Sequence, residues 1–288
     1  PRRGELTPMK HLLMYGIVIL LAPILASGSV QAAEERPLWE AGAGVSVLSL
    51  PAYRGSNQTN TFVLPVPFFS YHGDFFKADR HGIRGSFFDS DRLDLNVSLG
   101  LSPPAGSKDI DVRTGMPDLK ATFEIGPQID VTFWRSENKA RFFKLLMPLR
   151  AAFTIEGSPQ DVGWVFSPSL NLDIADLPGM PKWNLGLLAG PVFGNQRQNA
   201  YYYSVAPQYA TIDRPAYDAP SGYAGMQYTL GLSKRFTNTW VGAFIRYGNL
   251  DGASFADSPL VLQKDFFSAG VALSWVFGES STRVMVDD

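Results

Sequence analysis

The chain has 288 residues, with 25 Lys+Arg against 27 Asp+Glu and no cysteine. Nearly balanced charge offers no broad basic surface, so nucleic acid is not expected as a partner. The missing cysteine removes disulfide staples, thiolate metal sites, cysteine nucleophiles and cysteine-linked lipid anchors.

Met9 opens a stretch with the layout of a secretory signal. Lys10 and His11 form a short polar start, residues 12–26 are apolar, and Val30-Gln31-Ala32 is a small-residue cleavage site. The apolar run is shorter than the roughly 18 residues a spanning helix needs, and Pro23 interrupts it. Residues 9–32 are therefore expected to be a signal peptide, with the mature chain starting near Ala33. Beyond that point no apolar run approaches spanning length, and apolar residues recur with period two.

That period marks eleven runs: 39–48, 62–71, 75–88, 93–101, 121–133, 143–155, 164–173, 183–193, 223–236, 240–247 and 267–277. In the last, Phe267, Ala269, Val271, Leu273, Trp275 and Phe277 share one face, while Ser268, Gly270, Ala272, Ser274 and Val276 share the other. A greasy face opposite a small or polar one suits a strand between lipid and a polar lumen. The expected fold is all-β: a closed antiparallel transmembrane barrel of about 12 strands (10–12), because single-chain bacterial barrels normally have an even number. Run 75–88 is the expected fault in the count, to be split near Gly82.

The barrel is expected to occupy residues 36–277, followed by a polar, mobile periplasmic tail, 278–288. Counting back from the closing strand puts 102–117, 157–161, 195–221 and 248–264 outside the cell, and the shorter 89–91, 135–141, 174–182 and 237–239 in the periplasm. Trp39, Trp134, Trp164, Trp183, Trp240 and Trp275 at strand ends suit interfacial girdles. Glu124, Asp130, Lys144 and Arg150 fall on one inward face, where they either pair or line a narrow pore. The long, tyrosine- and proline-rich segment 195–221 is expected to fold inward and favour the plugged form.

Four loop motifs carry a resemblance. They are Pro51-Ala52-Tyr53-Arg54-Gly55-Ser56; Leu64-Pro65-Val66-Pro67 leading to Tyr71-His72-Gly73-Asp74-Phe75-Phe76; Tyr202-Tyr203-Ser204-Val205; and Asp257-Ser258-Pro259-Leu260-Val261. In this order they resemble the MipA/OmpV family of outer-membrane proteins, and Pro51, Tyr53, Gly55, Tyr202, Tyr203, Asp257, Ser258 and Pro259 are the positions singled out. Ser204 stands where the family often has glycine, and eleven residues follow Phe277, where members often end. The resemblance implies an outer-membrane barrel touching lipid and lipopolysaccharide. For one member it implies a scaffold that bridges a lytic transglycosylase and a murein synthase.

Chemistry is sparse. His72 and His81 are the histidines of the mature chain; Ser70, Ser86 and Asp74 lie near them in sequence, but no Gly-x-Ser-x-Gly elbow accompanies them. Asp109, Asp111 and Gly115 lack the further ligands of a calcium loop. Gly42 and Gly44 sit inside a strand pattern, which excludes a phosphate loop. No enzyme activity, metal or cofactor is expected. The reading is a noncatalytic scaffold; the alternatives are a narrow passive channel, or an adhesin or receptor built on the loop tyrosines Tyr201–Tyr203, Tyr209, Tyr217 and Tyr223.

Overall fold

The computed structural model describes residues 34–72, 76–79, 82–89 and 92–286, with side chains omitted over 72–89. The signal-peptide expectation therefore lies outside the described residues, as do Asp74, His81 and the side chains of His72 and Ser86.

Fifteen strands follow in order: β1 (Glu34–Pro37), β2 (Trp39–Pro51), β3 (Thr59–His72), β4 (Phe76–Asp79), β5 (Gly82–Asp89), β6 (Leu93–Ser102), β7 (Thr122–Arg135), β8 (Arg141–Thr154), β9 (Asp161–Phe166), β10 (Ser169–Ile174), β11 (Trp183–Gly194), β12 (Gly222–Arg235), β13 (Thr239–Asn249), β14 (Asp265–Glu279) and β15 (Arg283–Val286). One helix, α1 (Gln196–Tyr203), lies between β11 and β12. Strands β2 to β14 form one antiparallel sheet that closes on itself, because β14 pairs with β2 and because β8 and β11 both pair with β9 and β10. β9 and β10 are two halves of one strand. Pro168 sits at the break and has no N–H to give to a ladder.

Counted this way, the ring has twelve staves among the described residues. The missing stave is in the expected place, since run 75–88 resolves into β4 and β5.

Alternation decides which way each strand faces. Along β14, Phe267, Ala269, Val271, Trp275 and Phe277 are exposed on the outside, whereas Ser268, Gly270, Ala272 and Ser274 are buried inside. Inward glycines let the wall curve: a Cβ on Gly44 would lie 2.1 Å from the Leu273 carbonyl oxygen, so only glycine fits there. Trp240 departs from the girdle expectation. It pairs with Ser274, whose side chain is buried inside, and so occupies the inward register, while its neighbour Thr239 is opposite the outward Trp275.

The connections at one end are short (136–140, 175–182, 236–238), and three non-glycine left-handed residues, Lys139, Asp176 and Lys182, make their tight bends. At the other end 103–121, 195–221 and 250–264 are long, and together with 52–58 they carry a buried apolar cluster. The described ends of the chain, Glu34 and Val286, pair with each other at the short-turn end. The tail is not free there: β15 pairs with β1, prolonging the β2–β14 ladder beyond the rim.

Candidate functional site: an outer cap over a charged lumen

The cap is a small hydrophobic core made from loops. Tyr53 comes from the first loop, Ile110 and Leu119 from the segment between β6 and β7, Tyr203 and Val205 from the segment after β11, and Leu250, Phe255 and Leu260 from the segment before β14; each is at most 4% exposed. Tyr203 stacks on Phe255 at 3.7 Å between ring centroids and meets Tyr53 edge-on at 6.1 Å.

Polar groups fix the register of this core. Tyr53 Oη donates to the Leu260 carbonyl (2.6 Å), Tyr203 Oη to the Arg54 carbonyl (2.9 Å), and Ser258 Oγ to the Tyr203 carbonyl (2.7 Å). The Gly55 carbonyl accepts from the amides of Leu262 and Gln263. Gly55 has φ +96° and the Leu250 side chain against it, which favours a residue without Cβ. Two buried arginines satisfy loop carbonyls. Arg113 donates to Tyr202 and Pro117, and Arg214 to Val112, Thr114 and Tyr209. Helix α1 is anchored by Asn195, whose Oδ1 accepts from the amides of Gln198 and Trp164.

The motif positions singled out in the sequence therefore converge, although 207 residues separate the Tyr53–Leu260 partners. Tyr53, Gly55, Tyr203 and Ser258 are buried in the cap, Tyr202 packs beside them, and Pro51 and Pro259 are half-buried at its margin. Asp257 is exposed. Asp109 and Asp111 are exposed too, and their backbone groups bond the side chain of Gln58.

Burial sets the chemistry of these phenols. It pushes Tyr203 up to about 12 and raises Tyr53 still further, so both remain neutral donors at physiological pH. The folded state holds the Tyr203 proton more tightly than the unfolded chain, where a phenol titrates near 10. This stabilisation is complete below pH 10 and is lost as pH rises through about 12. Phenolate absorbance should show a late-titrating class near pH 12, accompanied by loss of near-ultraviolet dichroism between pH 10 and 12. Tyrosines all titrating near 10, with dichroism unchanged, would contradict a dry cap.

Beneath the cap the lumen is charged. Arg150 Nε donates to Glu124 at 2.8 Å, and its terminal nitrogens donate to Ser98 and Ser167 at 3.2 Å. The other two of these four inward charges, Asp130 and Lys144, do not join as an ion pair. Asp130 instead accepts from Asn96 (2.6 Å) and Gln128 (2.7 Å), and Lys144 lies over the Phe142 ring while acting on Asp130 only through its field. A second pair went unforeseen: Arg235 Nη2 meets Glu40 at 2.8 Å at the short-turn end, with Phe68 under the guanidinium. Its signal was present in the shared inward register of runs 39–48 and 223–236.

The family model described as MltA-interacting protein MipA matches residues 43–277. Outer membrane protein OmpV of Vibrio cholerae serotype O1 is 25% identical over 215 residues, which cover 73% of this chain and 76% of that protein. Among solved structures, a bacterial polysaccharide outer membrane secretin aligns with a TM-score of 0.42 at 7% identity, over 83% of this chain and 99% of the other. The Pseudomonas putida toluene transporter TodX aligns with a TM-score of 0.25 at 10% identity, over 91% and 78%. The architecture rests on the strand pairing itself, and the matched span takes in nearly the whole ring, from within β2 to Phe277 in β14. With that span, the chain belongs to the MltA-interacting protein MipA family, and its capped twelve-stave ring is an outer-membrane β-barrel.

Proposed function

We propose that this barrel is a noncatalytic scaffold whose periplasmic rim docks murein-remodelling enzymes. The observation that carries the reading is the two-stranded sheet β1–β15. Glu34 pairs with Val286 and Pro37 with Arg283, and the Leu38 and Ser280 amides donate to Thr282 and Trp39, joining this sheet to the barrel wall. Among the described residues no third strand pairs with β15 on the side away from β1. An exposed ladder edge on the periplasmic side is a template onto which an extended segment of another protein adds as a strand. The family description, which names an interaction with MltA, fits a protein partner on that side. The cap argues against both alternatives, because it covers the outer mouth and turns Tyr203 inward rather than toward a surface ligand.

The test is co-precipitation from detergent with a purified lytic transglycosylase and a bifunctional murein synthase. Met285→Pro, which removes a β15 amide facing away from β1, and deletion of 280–288 should each weaken capture at least ten-fold, while the heat-modified electrophoretic shift of the barrel persists. Capture unchanged in both variants, and in variants of turns 136–140 and 175–182, would overturn the reading.

A further inference from the structure

Among the described residues, one stretch of wall has no strand to fill it. β3 pairs with β2 along its whole length, and among the described residues its pairing with β4 on the other side is at Tyr71 and His72. β4 has four residues, and β5 returns from Gly82 to pair with β6 at Ile83–Val97, Arg84–Asn96 and Asp89–Asp94. Above this hairpin no described strand lies between residues 59–69 of β3 and residues 99–102 of β6. Over the gap, Gln58 bonds the Asp109 carbonyl (3.1 Å) and the Asp111 amide (2.8 Å) like a lintel. At the hairpin the two flanking strands are three inter-strand spacings apart, about 14 Å.

The free edge is built to be free. The Ala52 amide donates to the Gln58 carbonyl, so even-numbered residues of β3 point their backbone groups at β2 and odd-numbered ones point at the gap. Pro65 and Pro67 are odd, so the N–H groups they lack would have faced the opening. Irregular edges at membrane depth are tolerated only where they line a cavity. This one adjoins the lumen.

What lies inside is two-sided. On β3 and the neighbouring strands the inward residues include the apolar Leu48, Phe62, Leu64, Val66 and Phe244, with Ser46 opposite Leu64; pairing puts Phe62 opposite Leu48 and Phe244 opposite Gly270, in a single layer. Directly above it Arg246, whose strand partner is Ser268, donates through Nε to Thr229 (3.1 Å), and Arg54 donates to the Ala224 carbonyl (3.2 Å). Among the described residues neither arginine has a carboxylate within ion-pair distance. The charges of Arg54 and Arg150 bear on Arg246, opposed by Glu124, which is already paired with Arg150. Two guanidiniums with no ion-paired carboxylate among the described residues thus stand at the outer end of this layer, beside the opening to the outer leaflet.

We propose that the lumen binds an anionic amphiphile that enters laterally between β3 and β6, with its carboxylate or phosphate on Arg246 and Arg54 and its acyl chain against Phe62, Leu64 and Phe244. The opening itself is read with the cysteine-free chain in vesicles whose lipids carry a doxyl quencher on the acyl chain. A bimane at Leu64→Cys should be quenched at least two-fold more than one at Asn171→Cys, inward on the far wall, and approach lipid-facing Val271→Cys. Quenching at Leu64→Cys no greater than at Asn171→Cys would overturn the lateral route.

Binding is read by native mass spectrometry and calorimetry of the full chain with dodecanoate, dodecyl phosphate and methyl dodecanoate. At least one anion should bind, the neutral ester at least ten-fold more weakly, and Arg246→Gln and Arg54→Gln should each lower affinity for that anion at least ten-fold, in protein that keeps its heat-modified shift. Preference for dodecyl phosphate assigns the ligand to phosphorylated lipid, and preference for dodecanoate to free fatty acid. Equal binding of ester and anions, no binding of either anion, or indifference to both substitutions would overturn the proposal.

Discussion

Tyr203→Ala is expected to remove about 4 kcal/mol from the cap, the range for truncating a fully buried aromatic. The ring is 1% exposed, stacks on Phe255 and packs against Tyr53, and its hydroxyl holds the Arg54 carbonyl. Its loss leaves a cavity where three loops meet, and it leaves a carbonyl without its donor. The wall is held by separate ladders, so the damage should stay local. Hydrogen exchange is expected to quicken in 103–121, 195–221 and 250–264 but not in β12–β14, and planar-bilayer recordings should change from small, quiet currents to larger, flickering ones. Unchanged exchange in all three loops would show that the cluster does not hold the cap.

Glu124→Gln should be the most damaging change inside the wall. It leaves Arg150 charged in a compartment where both side chains keep only 13–16% exposure. Breaking a buried pair from one side costs about 3–5 kcal/mol, and residual hydration of the lumen brings the expected loss to about 2–3 kcal/mol. The urea midpoint in detergent micelles should fall accordingly. Adding Arg150→Met to Glu124→Gln should recover most of it, because the orphaned charge is then gone. A double variant weaker than the sum of the two singles would refute the argument. The same pair of changes at Asp130 and Lys144 should show little coupling, since amides rather than an ammonium hold that carboxylate.

The wall was legible because alternation is local. Each residue of β14 declares its side by its own polarity, and the lipid-facing set of Phe267, Val271, Trp275 and Phe277 is where the pattern put it. Ambiguity arose where a strand is short or broken: β4 and β5 have too few residues for a period to establish itself, and Pro168 cuts a ladder that the pattern treats as continuous. Trp240 misled because aromatics serve girdles and lumens alike, and only its pairing with Ser274 distinguishes the two.

The cap was half legible. Tyr53, Gly55, Tyr203 and Ser258 stood out as motif positions, yet nothing in the chain says that residues so distant bond one another. Side-chain partnership across a lumen is equally invisible, which is why Arg235–Glu40 was missed and why Asp130 turns out to be held by amides rather than by Lys144. The docking of β15 on β1 escaped notice because four-residue strands carry no recognisable period.

A cap in which Tyr53 needs Leu260, Tyr203 needs Arg54 and Arg113 needs Tyr202 constrains how relatives can diverge. Grafting one surface loop from a distant homologue would present strangers to every buried neighbour, so the four segments should be inherited as a linked set. Independent variation at this end is then left to sites such as Ile212, which is fully exposed and stands clear of the shared interior.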